Sequence, residues 1–288
     1  MNNANLKTLY GLKYNPFVPA IPADALYALP GFDRFANRVQ TMASQGGFAL
    51  ITGDPGLGKS KSLQMIAHRL ERVPDLTVRV MQRPQSSLCD FYRELGELFN
   101  VGLTPANRYG GFKALRTRWK AHCQSTLLRP VLLIDEAQQV SADCLTELRL
   151  LQSDHFDSES LLFVILCGDG RLPDRFRSAE LLPLGSRIGL RLVLAPLPPE
   201  QLEQYLDFAL DSAGHPNLMT PELVQTLAAH AANNMRVLNQ MAAELLSAAA
   251  ERNLNRIDES LFFELFSPSP SRSRRKQAKP STTSYTSR

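Results

Sequence analysis

Along the first two hundred residues, short apolar runs alternate with stretches in which apolar positions recur at helical spacing. The runs at 47–52, 76–82, 131–134, 161–167 and 188–194 are rich in Val, Ile, Leu or Phe and have the length of strands. Helical spacing falls between them, at 60–72, 86–99, 111–125 and 141–151, with Ser86 and Ser141 in N-cap position. Strand and helix in alternation predict an α/β fold, a mostly parallel five-stranded sheet covered by helices. After the Pro-rich segment 195–200 the strand signal stops and three or four amphipathic helices follow. One of them opens with Thr220 as cap and Pro221 in its first turn. The expected domains are an N-terminal segment at 1–46, an α/β body at 47–197, a helical lid at 198–266 and a tail at 267–288. The tail is too poor in apolar residues to offset its ordering entropy and is expected to be disordered.

Charge and cysteine content narrow the classes. The chain has 288 residues and a formal net charge of +4, but the tail alone carries Arg272, Arg274, Arg275, Lys276, Lys279 and Arg288 with no acid, which leaves the rest at −2. Polyanion binding by the body must therefore come from local patches. Cys89, Cys123, Cys144 and Cys167 show no paired spacing, so neither a disulfide framework nor a zinc site is expected, and a reducing cytoplasm fits. No segment reaches the roughly 20 apolar residues of a membrane span, and the N-terminus lacks a signal-peptide core. Secretion and membrane insertion are expected to be absent.

Gly53-Asp54-Pro55-Gly56-Leu57-Gly58-Lys59-Ser60 satisfies GxxxxGK[ST] between a predicted strand and a predicted helix. Glycines let backbone N–H groups curl around phosphates, and the helix N-terminus adds its dipole. Lys59 would neutralise the phosphates, Ser60 would ligate Mg²⁺, and Lys61 is expected to bind the nucleotide together with the loop. Some 75 residues later the run 131–134 ends in Asp135 and Glu136, as a Walker B segment does. Asp135 would hold the metal shell and Glu136 would polarise the attacking water. The cofactors expected are ATP and Mg²⁺.

With both motifs, a five-stranded body and a helical lid, the chain resembles the AAA+ ATPases. The segments YGLKYNPF, LPGFDRFANRV, RPQSSLCDFYRELGELF, NRYGGFKALR, VLLIDEAQ, LLPLGSRI and NNMRVL further resemble bacterial transposition ATPases of the TniB, TnsC and MuB type and the related ExeA-like group, over about residues 9–266. The resemblance implies a DNA-stimulated ATPase that assembles as a ring or filament on target duplex DNA. There it would recruit a transposase, with or without a target-selection adaptor, and hydrolysis would release it. It also implies that Arg187 is an arginine finger acting on a neighbouring subunit, with Arg175 and Arg177 as substitutes, and that Arg236 is the lid arginine facing the γ-phosphate. Asp169 takes the sensor position at the end of the fourth strand, and Tyr14, Phe17 and Val39 lie in the region that wraps adenine.

In the segment 110–124, a projection of about 100° per residue puts Phe112, Leu115, Trp119 and Cys123 on one stripe, with Lys113, Arg116 and Lys120 on the next. Arg108 lies just upstream. These cations are the expected contacts to a DNA backbone, tolerant of sequence and sensitive to salt; the competing reading is a solvated amphipathic face. Three other roles stay open from the residues alone: a helicase loader or initiator-like partner carrier, a secretion-associated ATPase, and a scaffold that binds ATP and hardly turns it over.

Overall fold

A computed structural model of the chain describes residues 3–83, 87–103 and 107–266. The basic tail lies outside them. Five strands, β1 (Gly47–Gly53), β2 (Val78–Met81), β3 (Val131–Ile134), β6 (Phe163–Gly168) and β7 (Ile188–Leu194), form one sheet in the order β2-β3-β6-β1-β7, every pair parallel. The three inner strands, β1, β3 and β6, face apolar residues on both sides. Ala49, Ile51, Leu133 and Ile165 point into one core and Phe48, Leu50, Leu132 and Val164 into the other. Edge strand β7 instead alternates, with Leu190 and Leu192 buried and Arg191 and Val193 outward.

The helices appear where the periodicity put them, with ends shifted by a few residues. On the first face lie α1 (Asn3–Tyr10), α2 (Phe32–Met42) and α3 (Lys59–Glu71); on the second lie α4 (Leu88–Leu98), α5 (Arg108–Thr126) and α6 (Ala142–Gln152). Ser86 falls outside the described residues. The cap of α4 is Ser87, which accepts from the Asp90 N–H, while Ser141 caps α6 through the Cys144 N–H as expected. A short hairpin, β4 (Ser153–Asp154) and β5 (Glu159–Ser160), and two short helices, α7 (Arg171–Arg175) and α8 (Leu182–Gly185), are additions that the apolar pattern did not signal. The lid comprises α9 (Pro199–Ala213), α10 (Pro221–His230), α11 (Met235–Glu251) and α12 (Glu259–Phe266), and its core runs without a break into the first sheet core.

The second face holds a correction. Leu115 and Trp119 are buried as the stripe predicted, and Trp119 packs edge-on against Phe99 at 5.2 Å. Most of the neighbouring cations, however, already have acidic partners. Arg108 donates to the buried Glu147 of α6, which also accepts from the Tyr92 hydroxyl. Arg116 donates to Asp154 at 2.5 Å and to the carbonyls of Leu150, Leu151 and Ser153, so it closes the C-terminus of α6. Lys120 meets the other Asp154 oxygen at 2.8 Å. Helical projection finds a shared face but not the acids that another element brings to it 34 to 39 residues later. Of the four expected DNA contacts, only Lys113 stands exposed with no acid recorded beside it.

Burial pushes the Asp154 carboxyl pKa up, but the hydrogen bond from Lys120 and the charges of Arg116 and Lys120 outweigh it and hold it below 3.8. Because the folded-state pKa is the lower one, the stabilisation is full above that value and fades as pH falls through the depressed pKa. Arg116→Ala is expected to lower unfolding free energy by about 2–4 kcal/mol, since it strands a part-buried acid and frees helix-end carbonyls, whereas Lys113→Ala changes it by less than ~0.5 kcal/mol. Urea unfolding at neutral pH checks both, and the Arg116 deficit should shrink when the series is repeated below pH 3.8.

Candidate functional site

Three strand ends build the site. β1 stops at Gly53 and the chain turns through Asp54–Gly58 into α3. At Gly56 and Gly58, φ is +89° and +91°, a region that favours glycine. A side chain at Gly56 would also run into Asn234 of the lid, and one at Gly58 would come within 3.0 Å of Leu29. The turn leaves the first N–H groups of α3 without intrahelical partners, a ready anion cradle. Lys59 is 8% exposed and its ammonium donates to the Asp54 carbonyl at 2.9 Å, so it lies along the loop it would help to neutralise. Ser60 follows on the cleft wall. Lys61 lines the same cleft, where its ammonium donates to the Pro19 carbonyl at 2.5 Å and ties α3 to the N-terminal segment; burial lowers its pKa.

β3 and β6 supply the acids. The Glu136 N–H donates to Asp135 Oδ1 at 2.9 Å, and Glu136 itself is left-handed at φ 50°. Non-glycine residues in that conformation carry strain of roughly 1–2 kcal/mol, here held at a turn that aims the carboxylate into the cleft. Cys167 is buried near the end of β6; burial first, then the negative charge of Asp135, push its thiol pKa far up. It is therefore a neutral neighbour of the acid. Asp169 faces the same cleft with Arg171 bonded to it at 2.6 and 2.8 Å, which holds its carboxyl below the usual range. A carboxylate here needs a cation to offset phosphate repulsion, and Arg171 supplies it.

Above them lies a cleft of about 660 Å³ that takes in Gly56, Lys59, Ser60, Glu136, Asp169 and Arg236, with an apolar end formed by Phe17, Ile21, Leu26, Tyr27 and Leu29. Size and composition suit a nucleotide. Phe17 is on this wall as expected. Tyr14 and Val39 are not: Tyr14 packs against the first core, and Val39 is fully buried on α2. Residues 11–30 contain no periodic element long enough to show which aromatic faces inward, so sequence could not choose among them.

The lid closes directly on the phosphate loop. Asn234 caps α11 by accepting from the N–H groups of Arg236 and Val237, and its Nδ2 donates to the Pro55 carbonyl at 2.9 Å. The Arg236 N–H also donates to the Gly56 carbonyl at 3.2 Å. Arg236 thus enters the cleft from the first turn of α11, where the sequence placed it. The turn before it, at Ala232 and Asn233, is left-handed at φ 49° and 58°, with asparagine taking the place of a glycine.

Arg187 does not line this chain's own cleft. It sits at the start of β7, bonded to the Pro183 carbonyl and to Asp157 of the hairpin. Arg175 is no substitute for it, because its guanidinium is spent on the Gln138 and Val140 carbonyls at 2.5 and 2.9 Å. Arg177 is exposed and pairs with Asp174 at 2.9 Å. Residues that sequence reasoning missed are Asn234, Arg171 and Gln138. Gln138 sat inside the quoted VLLIDEAQ motif, and Arg171 stood two positions from the chosen Asp169.

Sheet order, phosphate loop, paired acids and lid arginine define the α/β AAA fold with an AAA-type P-loop ATPase site. Residues 41–176 match the family model described as AAA domain. Among curated proteins, general secretion pathway protein A of Aeromonas hydrophila is 30% identical over 217 residues; the match covers 74% of this chain but 39% of that protein, so the chain spans about two fifths of its relative. Among solved structures, Cdc6p of Pyrobaculum aerophilum superposes with a TM-score of 0.64 at 13% identity, covering 84% of this chain and 67% of that one. The Orc1 protein of Aeropyrum pernix in complex with DNA gives 0.65 at 17% (86% and 67%), and domain III of Thermotoga maritima DnaA gives 0.59 at 19% (86% and 98%). At these identities the likeness is one of fold. P-loop ATPases of this type bind ATP with Mg²⁺, and the residues fit: Ser60 and Asp135 would hold the ion, which supplies charge neutralisation of the phosphates, while Lys59 and the N–H cradle hold the anion.

Gly56→Ala puts a methyl where Asn234 and a positive φ leave no room. It is expected to weaken binding of a fluorescent ATP analogue by at least ~10-fold, about 1.4 kcal/mol, in a fluorescence titration at a temperature where circular dichroism shows the variant folded.

Proposed function

We propose that this protein is an ATP-dependent, DNA-binding regulator of transposition. In its ATP state copies assemble on target duplex DNA and recruit a transposase, with a target-selection adaptor as a further partner; hydrolysis at Glu136 lets the assembly come apart. What carries the nucleotide switch is the junction of lid and phosphate loop, where Asn234 and Arg236 bond to the Pro55 and Gly56 carbonyls. Any ligand that reshapes this loop also shifts the lid. Supporting the DNA role are the seven segments that resemble transposition ATPases and the fold shared with the Orc1 protein of Aeropyrum pernix, solved in complex with DNA. With Arg108, Arg116 and Lys120 held by acids, the proposed contacts to phosphate are Lys113 and the cations of the tail. In this scheme Arg187 reaches the neighbouring copy's cleft, since it does not line its own.

A second reading, a secretion-associated ATPase that acts on an envelope partner, is favoured by the 30% identity to general secretion pathway protein A. No helix among the described residues is long and apolar enough to cross a membrane.

Electron microscopy of the purified chain with duplex DNA and a nonhydrolysable ATP analogue separates the two. Polymers that require both components are expected; particles that ignore DNA would sink the transposition reading. Lys59→Ala should abolish nucleotide binding, while Glu136→Gln should keep it and accumulate the DNA-bound form. For Arg187→Ala, turnover is expected to drop at least ~100-fold with nucleotide affinity unchanged, and mixing it with Lys59→Ala should restore activity in part, because each variant supplies what the other lacks.

A further inference from the structure

The side-chain amide of Gln138 stands between the two acidic arms of the site. Its Nε2 donates to Glu136 Oε2 at 2.5 Å and its Oε1 accepts from the Asp169 backbone N–H at 3.2 Å. Both ends require the same orientation, since an ionised carboxylate only accepts and a backbone N–H only donates. A flipped amide would set oxygen against oxygen and N–H against N–H. The Gln138 carbonyl is pinned in turn by Arg175 at 2.5 Å, and Gly168 leaves the space the amide fills, because a Cβ there would strike Gln138 Oε1. Glu136 is thus fixed at its N–H by Asp135 and at one carboxylate oxygen by Gln138.

We propose that Gln138 is the positioning residue of the hydrolytic step: it holds Glu136 in its working rotamer and couples that rotamer to the loop after β6, which carries Asp169 and Arg171. The proposal rests on the ATPase reading above. With Oε2 engaged by the amide, Oε1 is the oxygen left to take a proton. The water oxygen bonds to the γ-phosphorus, the bond from phosphorus to the bridging oxygen breaks with its electron pair leaving on ADP, and the water proton passes to Glu136 Oε1 and on to solvent. Gln138 touches none of the reacting atoms. Its effect passes through a carboxylate whose displacement by about 1 Å costs on the order of 100-fold in rate.

Gln138→Met keeps the length of the side chain and removes both hydrogen bonds. Turnover is expected to fall ~10- to 100-fold while the dissociation constant of a fluorescent ATP analogue stays within ~2-fold. Without nucleotide, hydrogen exchange at the Asp169 amide should speed up, because that N–H loses its acceptor. In the double variant with Glu136→Gln, turnover should be no lower than in Glu136→Gln alone, since the amide acts only through that glutamate. Multiplying effects, or lost affinity with unchanged kcat, would overturn the positioning role. If circular dichroism shows Gln138→Met unfolded, Gly168→Ala, which presses on the amide without deleting it, is expected to give the same split, and full turnover there would equally overturn the role. Wild-type turnover no faster than that of Lys59→Ala would overturn the ATPase reading and this role with it, whereas wild-type turnover matched by Gln138→Met overturns this role alone.

Discussion

Strand β6 lies between β1 and β3, and the site depends on that insertion. Neighbouring strands stand about 4.8 Å apart, so the ends of β1 and β3 are held roughly 10 Å from one another by a strand that hydrogen-bonds to both. That gap separates the phosphate loop from Asp135 and Glu136, and the end of β6 delivers Asp169 into the middle of it. All three strands are parallel, which brings their carboxyl ends to one edge where an open α/β sheet takes its ligands. A single register step along β6 would turn Cys167 away from Asp135 and set it in the opposite core.

The lid adds a constraint of another kind. A helix N-terminus needs acceptors for its free N–H groups, and α11 uses Asn234 for two of them. The same side chain reaches the Pro55 carbonyl, so the cap of the lid helix doubles as the clasp on the phosphate loop. A cap is worth about 1 kcal/mol, and a backbone contact such as that of the Arg236 N–H to Gly56 about as much again. These polar links are therefore shallow beside the apolar core that the lid shares with the sheet. A triphosphate anchored on both sides of them can reset the links at the cleft while that core keeps the lid attached.

The architecture was legible because it rests on local signals. Continuous apolar runs marked the inner strands, helical spacing marked the covering helices, and GxxxxGK[ST] with Asp135-Glu136 marked the two loops that carry the chemistry. Strand order was not legible, since nothing within 161–167 states that it pairs with both 47–52 and 131–134. The same gap explains the misread cations: Arg116 looks free on a helical wheel because Asp154 comes from a two-residue strand too short to leave a periodic trace. Tyr14 failed for want of any period in residues 11–30, whereas Val39 belongs to the buried stripe of α2, with Phe32, Phe35 and Ala36. Gln138 was printed within the motif, but its role is a matter of which neighbours its amide meets.

On the neutralised face of α5, attraction to a polyanion must compete with ion pairs already formed. Arg108, Arg116 and Lys120 already face Glu147 and Asp154, so drawing them to DNA would set Asp154 against phosphates and leave the buried Glu147 without its cation, held by the Tyr92 hydroxyl alone, a cost of several kcal/mol. Arg187 presents the opposite case. Its partner Asp157 sits on an exposed hairpin whose residues 155–157 are all left-handed, and exposed pairs of this kind hold with 0–1 kcal/mol. Exchanging Asp157 for a phosphate at a drier boundary between copies would cost little and gain a stronger field. The cations most firmly held are thus those that build the body, and the proposed trans residue is among those most easily released.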